Sequence, residues 1–274
     1  MTKPFIKYAG GKSKLLHEIL PLIPDSINTY YEPFVGGGAV FFALAEERRF
    51  RSAVISDTNT ELIYAYLAVQ MFPYELVSAL HAIESQPDWN TRERYNSMRS
   101  AKFTSIVDRA ARFIYLNKLA FNGLWRVNQK GKFNVPFGNY KNPKLCDASR
   151  IWECSALLKD VLILDYDFRE LPCNPQAGDC CYFDPPYVPV SKTSSFTKYS
   201  SDFGLEAQTD LVKIFRGLTR RQVACVLSNS DTPLVREWYS GFNQVQVQAR
   251  RNINSDGSKR GVVSELLIAG GCHA

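Results

Sequence analysis

The sequence is poor in histidine and lacks long apolar runs. Its three histidines are His17, His81 and His273, and none stands at metal-ligand spacing from a cysteine or a carboxylate. No apolar run approaches the ~20 residues that a membrane-spanning helix requires. The first residues, Met1-Thr2-Lys3-Pro4, do not lead into the apolar stretch of a signal peptide. We therefore expect no metal ion, no membrane segment and no secretion signal.

Cysteine is present without a disulfide pattern. The seven cysteines are an odd number and form no Cys-x-x-Cys pair, while Cys180 and Cys181 are adjacent in a strand-like run. This usage is typical of reduced core thiols in a cytoplasmic protein. The 274 residues suffice for one large α/β domain, or for one domain with a sizeable insertion.

Positive charge is concentrated in one part of the chain. The net charge is +6, but residues 91–150 alone hold thirteen Lys and Arg against three acidic residues. Aromatic residues are interleaved with these charges, namely Phe121, Trp125, Phe133, Phe137 and Tyr140. Basic and aromatic residues together favour a nucleic-acid surface, and a solvated helix face is the alternative.

The first glycine pair is not a nucleoside triphosphate site. Gly10-Gly11-Lys12-Ser13 resembles the end of a phosphate-binding loop, but that loop needs a further glycine where Ile6 stands. We instead expect a helix over residues 13–20, with Ser13 as a candidate cap. The start of such a helix would attract an anion such as a carboxylate.

A second glycine-rich turn indicates an adenosine-binding half-fold. A β-prone run near residues 29–32 leads into glycines 36–38 and then into an apolar helix. The next strand, near residues 53–56, ends in Asp57, about 20 residues beyond the turn, where a carboxylate can accept hydrogen bonds from ribose. A helix is expected from Thr58 to about Met71. A purely structural β-α-β unit is the alternative interpretation.

The motif Asp184-Pro185-Pro186-Tyr187 ends an apolar strand that begins near residue 180. Proline has no N–H to donate, so the strand must stop and the loop presents acceptors. Tyr187 adds a flat face for stacking. Such a loop suits a planar group that carries an amino group, for example a nucleobase. A Pro-Pro turn with a capping Asp184 is the alternative.

The remaining pattern predicts the domain organisation. Helices are expected over residues 74–85, 104–117, 205–219 and 232–240, and strands over 161–165, 223–229, 244–250 and 262–268. Residues 60–150 are interpreted as a target-recognition insertion, with hairpin-like turns at 121–134. Residues 1–59 and 151–274 would form the catalytic domain.

Two loops of the second half carry further expectations. The polar stretch 188–204 could close over a site. Asp256-Gly257 predicts a hairpin turn, and its four basic neighbours would contact phosphate: Arg250, Arg251, Lys259 and Arg260.

Assembled in order, these segments resemble the Dam family of DNA adenine-N6 methyltransferases over nearly the whole chain. The blocks that carry the resemblance are Lys7-Tyr8-Ala9-Gly10-Gly11-Lys12, Glu32-Pro33-Phe34-Val35-Gly36-Gly37-Gly38, Asp57, Asn122-Gly123-Leu124-Trp125-Arg126, Asn134-Val135-Pro136-Phe137-Gly138, Asp167-Phe168, Asp184-Pro185-Pro186-Tyr187 and Arg250-Arg251. Their order is more specific than any single block. Tyr8 stands where tryptophan is common, Glu32 where aspartate is common, and Asn139 where a basic residue can occur.

The resemblance implies a fold, a cofactor and a substrate. The fold would be a Rossmann-like class I methyltransferase sheet with helices on both faces, plus a mainly helical DNA-recognition insertion with a β-hairpin. S-adenosylmethionine would be the cofactor and S-adenosylhomocysteine its product. Adenine in double-stranded DNA, commonly within GATC, would be the substrate.

The family's roles also imply site residues. The cofactor pocket would be lined by Tyr8, Ala9, Gly10, Lys12, Phe34, Gly36, Asp57, Asp167, Phe168 and Asp184. DNA contacts would come from Lys7, Phe121 as a wedge, Asn122, Leu124, Arg126, Asn134, Pro136, Arg250 and Arg251. Asp184, Pro185, Pro186 and Tyr187 would act on a flipped adenine.

Other functions stay open at this point. They are the same chemistry on RNA adenine or on cytosine N4, a methylase-like DNA-binding protein without turnover, and a small-molecule methyltransferase. We expect a monomer in solution, located in the cytoplasm and associated with the nucleoid through DNA.

Overall fold

The computed structural model describes residues 2–171, 174–189, 203–250 and 262–271. Along the chain these residues form α1 (Leu16–Ile19), β1 (Ile27–Glu32), α2 (Ala39–Glu46), β2 (Phe50–Ser56), α3 (Thr60–Met71), α4 (Pro73–Glu84), α5 (Arg92–Ser100), α6 (Ile106–Leu119), α7 (Ala148–Leu158), β3 (Leu162–Leu164), β4 (Cys180–Phe183), α8 (Leu205–Arg220), β5 (Ala224–Ser230), α9 (Pro233–Trp238), β6 (Asn243–Arg250) and β7 (Val262–Gly270).

The chain divides into two compact units. The first comprises Met1–Ser13, Gly36–Glu46 and Asp57–Asp165, and the second comprises Lys14–Val35, Glu47–Ser56 and Tyr166–Ala274. The first unit is mainly helical and includes β3, whereas the other six strands belong to the second unit.

The six strands of the second unit are hydrogen-bonded in the order β2-β1-β4-β5-β7-β6. Strands β2, β1, β4 and β5 are parallel, and β7 is antiparallel to both β5 and β6. Every residue of β4 and β5 is buried, as expected of parallel strands covered on both faces. Tyr30 of β1 pairs with Cys180 of β4, so both strands end at the same edge of the sheet. This topology confirms the predicted Rossmann-like sheet.

Helix α8, predicted over residues 205–219, buries an apolar stripe. Leu211, Phe215 and Leu218 are buried along one side of the helix. The Phe215 ring lies 5.3 Å from that of Tyr239 and 5.0 Å from that of Phe242, both in near-perpendicular contact. These edge-to-face contacts fill the core of the second unit.

In the first unit, side-chain caps mark where the helices begin. The Asn59 side chain accepts from Leu62 N at the start of α3, Ser105 from Asp108 N at α6, and Asp147 from Arg150 N at α7. Each satisfies a backbone donor that the first helical turn leaves unpaired. The predicted end of α3 at Met71 is confirmed.

The predicted helix over residues 13–20 is wrong in length. The α-helix α1 has only four residues, and Ser13 lies in a preceding 3₁₀ turn, Lys12–Lys14, without capping α1. Pro21, in the following 3₁₀ turn, has no N–H to donate to an α-helical bond. Helices α5 and α7 are two elements that the periodicity does not predict.

Several expectations fall outside the described residues. They concern positions 190–202 of the polar loop, the Asp256-Gly257 turn with Arg251, Lys259 and Arg260, and the side chain of Arg250. Within the described ranges, no helix is long and apolar enough to cross a membrane. Five cysteines of these ranges are free thiols: Cys146, Cys154, Cys180, Cys181 and Cys225.

Replacement of Phe215 by alanine should lower the free energy of unfolding by about 3–5 kcal/mol, because it leaves a cavity between Tyr239 and Phe242. Chemical denaturation measures this change. Leu205→Ala on the same helix is the control, since Leu205 is 55% exposed. Equal losses in the two variants would contradict this packing.

Candidate active site

In the first unit, the glycine turn, Tyr8 and the acid predicted for ribose lie together. Asp57 accepts hydrogen bonds from the backbone N–H of Gly36 (3.1 Å) and of Asn59 (2.9 Å). Asn59 also donates from Nδ2 to the Tyr8 hydroxyl (3.1 Å). One asparagine therefore caps α3 and holds the Tyr8 ring, a double role that the sequence did not reveal.

Two features require glycine at the turn: a positive φ angle and the lack of room for a Cβ atom. Gly36 has φ of +47°, and a Cβ there would lie 3.1 Å from the Tyr8 ring. Gly38 has φ of +72°, and its Cβ would lie 2.5 Å from the Tyr66 hydroxyl. The Tyr66 hydroxyl in turn donates to the Gly36 carbonyl (3.1 Å). The turn is thus fixed beneath Tyr8 with little room for any side chain.

Burial raises the pKa of the Asp57 carboxyl above its ordinary value, although the N–H groups of Asn59 and Gly36 oppose this rise. The nearby Asp165 adds a further upward contribution. A carboxylate in such a setting gains from additional hydrogen-bond donors, which stabilise its charged form. Ribose hydroxyls would supply donors of this kind.

The adjoining predicted residues Ala9 and Gly10 are exposed, whereas Lys12 is buried. Lys12 donates from Nζ to the Gly10 carbonyl (2.7 Å), and Gly11 N donates to the Tyr8 carbonyl (3.2 Å). This segment is therefore a folded turn that continues from Tyr8.

In the second unit, the Asp-Pro-Pro-Tyr loop (residues 184–187) leaves the carboxyl end of β4. Gln208 of α8 donates to the Pro186 carbonyl (2.7 Å). The next residue, Val188, donates from its N–H to Asn229 (3.0 Å) and accepts at its carbonyl from the Ser230 hydroxyl (2.6 Å). Side chains of α8 and β5 thus hold the backbone of the motif at Pro186 and of the residue that follows the motif.

The two proline carbonyls of the loop differ in their contacts. Among the described residues, no hydrogen bond to the Pro185 carbonyl is formed, whereas the Pro186 carbonyl is occupied by Gln208. Tyr187 is half-buried, and its hydroxyl donates to Glu265 on β7 (2.9 Å). Burial is the main cause that raises the Tyr187 pKa well above its ordinary value, followed by Asp184 and Glu265. The hydroxyl therefore stays protonated.

Two further predicted cofactor residues meet in this unit. The rings of Phe34 and Phe168 stack at 5.3 Å, and Phe203 joins them at 5.6 Å and 5.4 Å. The adjacent Asp167 accepts from the backbone and the guanidinium of Arg169 (3.0 and 3.2 Å). Phe203 was missed because it falls in a stretch that the sequence marks as polar.

Residues predicted to contact DNA also come together in the first unit. Asn117 of α6 is buried and donates from Nδ2 to the carbonyls of Lys7 (2.8 Å) and Gly123 (3.2 Å). It thereby joins the segment of Lys7 to the turn that holds Asn122, whose φ is +58°. The preceding Phe121 ring is 49% exposed.

The following residues form a short hairpin, the 126–134 hairpin. Arg126 and Asn134 are paired twice, by Asn134 N to the Arg126 carbonyl (3.0 Å) and by Arg126 Nε to Asn134 Oδ1 (2.8 Å). At its foot, Trp125 packs between Phe113 and Phe133 at 4.3 and 4.6 Å. The Arg126 side chain is exposed, and its position is fixed by the hydrogen bond to Asn134. Pro136, next to the hairpin, accepts from Phe121 N (2.9 Å).

Of the thirteen basic residues in 91–150, some are exposed and others form contacts within the fold. Arg109 pairs with Glu61 (2.6 Å), and Arg112 donates to the carbonyls of Met98 and Arg99, so these two cations stabilise the fold. Seven of the thirteen basic residues are exposed: Arg92, Lys102, Arg126, Lys130, Lys132, Lys141 and Lys144.

Beside Lys7 lies a cavity of about 450 Å³ within the first unit. Three other lysines line it, namely Lys118, Lys141 and Lys144. Burial, more than the neighbouring cations, lowers the pKa of Lys118. The cavity could accept a phosphate group.

In the described part of the chain, no group of three or more His, Cys, Asp or Glu is placed to hold a metal ion. The structure adds side chains that the sequence did not single out, among them Asn59, Asn117, Gln208, Asn229 and Glu265. Only Glu265 carried a local signal, as the one charged residue in the apolar run of β7.

Comparison with known proteins gives this geometry its context. Residues 8–253 match the family model described as D12 class N6 adenine-specific DNA methyltransferase. The type II methyltransferase M1.LlaDCHI of Lactococcus lactis subsp. cremoris is 40% identical, over 97% of this chain and 94% of that protein. M.MjaIII, a type II methyltransferase of Methanocaldococcus jannaschii, is 41% identical over 97% and 98%. The DNA adenine methylase of Escherichia coli K12 is 36% identical over 97% and 94%.

The mixed, mainly parallel sheet and the acceptor-rich loop define a methyltransferase-type α/β protein. The chain belongs to the D12 class of N6 adenine-specific DNA methyltransferases. The resemblance to the Dam family is thereby confirmed.

Asn59→Ala should lower the free energy of unfolding by about 0.5–2 kcal/mol, because the cap of α3 and the Tyr8 contact are both lost. Thermal unfolding measures the change, with Thr58→Ala at an exposed neighbour as the control. Tyr8→Phe, which removes the hydroxyl alone, should cost less than Asn59→Ala. A reversed order of the two variants would contradict the double role of Asn59.

Proposed function

We propose that this enzyme transfers a methyl group from S-adenosylmethionine to N6 of an adenine that has been flipped out of duplex DNA, within the sequence GATC. The observation that carries the proposal is the Asp-Pro-Pro-Tyr loop at the carboxyl end of β4. Its backbone is held by Gln208, Asn229 and Ser230, while the Pro185 carbonyl accepts from none of the described residues.

The loop matches the hydrogen-bonding pattern of an adenine amino group. That group carries two hydrogens, and its lone pair is delocalised into the ring, which makes it a poor nucleophile. The Asp184 carboxylate and the Pro185 carbonyl would each accept one hydrogen, which turns the lone pair toward the methyl donor. The protein contributes by position and by electrostatics. Tyr187 would stack on the extruded base, offsetting part of the few kcal/mol that flipping costs.

The residues present in both units fit S-adenosylmethionine. Asp57 is half-buried, and its carboxylate has acceptor capacity for ribose hydroxyls beyond the two backbone N–H groups that it already accepts from. The glycine turn brings backbone close to the Tyr8 ring. In the second unit, Phe34 and Phe168 offer aromatic faces, and Asp167 offers a further carboxylate. When bound, the cofactor supplies a methyl group already activated on a sulfonium. Ala9, Gly10, Lys12 and Asp184 complete the proposed set.

The first unit carries the proposed DNA-recognition residues. Lys7, Leu124 and Arg126 would read bases, with Asn122, Asn134 and Pro136 beside them and Phe121 as the wedge. Arginine is the side chain best suited to read guanine in the major groove, as GATC requires. The lysine-lined cavity and the exposed cations would bind phosphates. Arg250 and Arg251 would add phosphate contacts.

The proposal extends to organisation and location. Residues 60–150 would form the recognition domain, and residues 1–59 with 151–274 the catalytic domain. The enzyme would act without a metal ion, as a monomer in the cytoplasm, where DNA binding places it on the nucleoid.

Asp184→Ala should abolish methyl transfer while leaving the protein folded, because it removes an acceptor for the amino group. Incorporation of radioactive methyl groups into DNA measures activity, and circular dichroism checks the fold. Asp160→Ala, at an exposed carboxylate, is the matched control. A folded Asp184→Ala protein with near-normal turnover would refute the assignment.

Arg126→Ala should relax sequence choice, with a loss of about 1–3 kcal/mol of discrimination at one base pair. Mapping of methyl acceptance on a random-sequence DNA library measures this and also gives the target base and recognition site of the parent enzyme. Lys132→Ala, an exposed cation of the same hairpin, should weaken binding to all sequences alike. If Arg126→Ala did the same, Arg126 would contact phosphate instead.

A further inference from the structure

Glu265 is an unusual residue for its position. It lies in β7, paired with Ser230 of β5 on one side and with Val247 of β6 on the other. It is only 8% exposed, and the next two residues, Leu266 and Leu267, are fully buried. A buried carboxylate is costly unless it is hydrogen-bonded, so its partners reveal what it contributes.

The partner of Glu265 is the Tyr187 hydroxyl, at 2.9 Å from Oε2. Because burial and the two carboxylates raise the Tyr187 pKa, the hydroxyl remains a donor at every physiological pH. The Tyr187 ring is thus held at two ends. The backbone of the loop that carries Tyr187 is hydrogen-bonded to Gln208 and Asn229, and the Tyr187 hydroxyl is hydrogen-bonded to Glu265 of the sheet.

We propose that Glu265 is a positioning residue that fixes the plane of the Tyr187 ring. This rests on the proposed role of that ring as the stacking surface for the flipped adenine. The carboxylate acts through the tyrosine and touches no reacting atom. A ring that is already oriented loses less freedom when the base stacks on it, so the amino group meets its acceptors in a reactive geometry.

A double-mutant cycle separates this role from a general effect on the fold. Glu265→Leu should lower kcat about tenfold or more, with a change of less than about twofold in the KM for DNA. In a Tyr187→Phe background the hydroxyl is gone, and the same Glu265→Leu change should alter kcat less than about twofold. Glu265→Gln keeps an oxygen acceptor and should retain kcat within about threefold of the parent.

A spectroscopic measurement reports on the ring itself. The target adenine of the mapped duplex is replaced by 2-aminopurine, whose fluorescence is quenched by stacking. Bound to the parent enzyme, the extruded base should be partly quenched, whereas Glu265→Leu at saturating protein should give brighter emission. Tyr239→Phe is the control, because the Tyr239 hydroxyl is buried and forms no hydrogen bond within the described residues.

Two outcomes would overturn the role of Glu265. One is an equal fall in kcat from Glu265→Leu in the parent enzyme and in the Tyr187→Phe background. The other is an unchanged 2-aminopurine emission in a folded Glu265→Leu protein that has lost activity. Failure of the proposed function would look different, since the parent enzyme would then methylate no adenine in any DNA.

Discussion

The Asp-Pro-Pro-Tyr loop (residues 184–187) lacks two backbone hydrogen-bond donors because of its prolines. The surrounding elements of the second unit must therefore hold this loop in place. Pro185 and Pro186 cannot extend the ladder of β4, so the sheet alone cannot hold the loop. Side chains replace the missing ladder. Gln208 reaches the loop from α8, and Asn229 with Ser230 reaches it from the end of β5. The loop is therefore fixed relative to the edge of the sheet from which it leaves.

In the first unit, the glycine turn likewise depends on neighbouring side chains for its contacts. The turn at Gly36 and Gly38 has no side chains of its own, so Asp57, Tyr66 and Tyr8 supply its contacts. In both units, backbone with few interactions of its own is secured by polar groups on neighbouring elements. At the glycine turn a ligand can approach the backbone closely, because glycine carries no side chain.

The sequence predicted the sheet and its loops well, because buried parallel strands are continuous apolar runs and glycine and proline end them. The positions of Asp57 after β2 and of Asp184 after β4 followed from the same signals. Helix α5 escaped prediction because it is strongly polar and buries only Tyr95 and Met98. Helix α1 is shorter than predicted, because Pro21 follows it and has no N–H for an α-helical hydrogen bond.

Partners distant in sequence could not be predicted. Asn117 lies 110 residues from Lys7, and Glu265 lies 78 residues from Tyr187. A lone polar residue in an apolar helix or strand indicates that a partner exists, but the folded chain decides which one. The count of thirteen cations likewise overstated the basic surface, because Arg109 and Arg112 are used within the fold.

The 126–134 hairpin separates the residues that hold it in place from the residues that it exposes. Trp125 anchors its foot between Phe113 and Phe133, while the Asn128 side chain closes its tip through Lys130 N and Lys132 N. The hairpin is therefore stabilised by packing at its base, and its turn is fixed by the Asn128 side chain. The exposed residues Gln129 and Lys130 are not constrained by packing. Substitutions at these two positions are therefore expected to change the surface of the hairpin without disturbing the aromatic packing at its base.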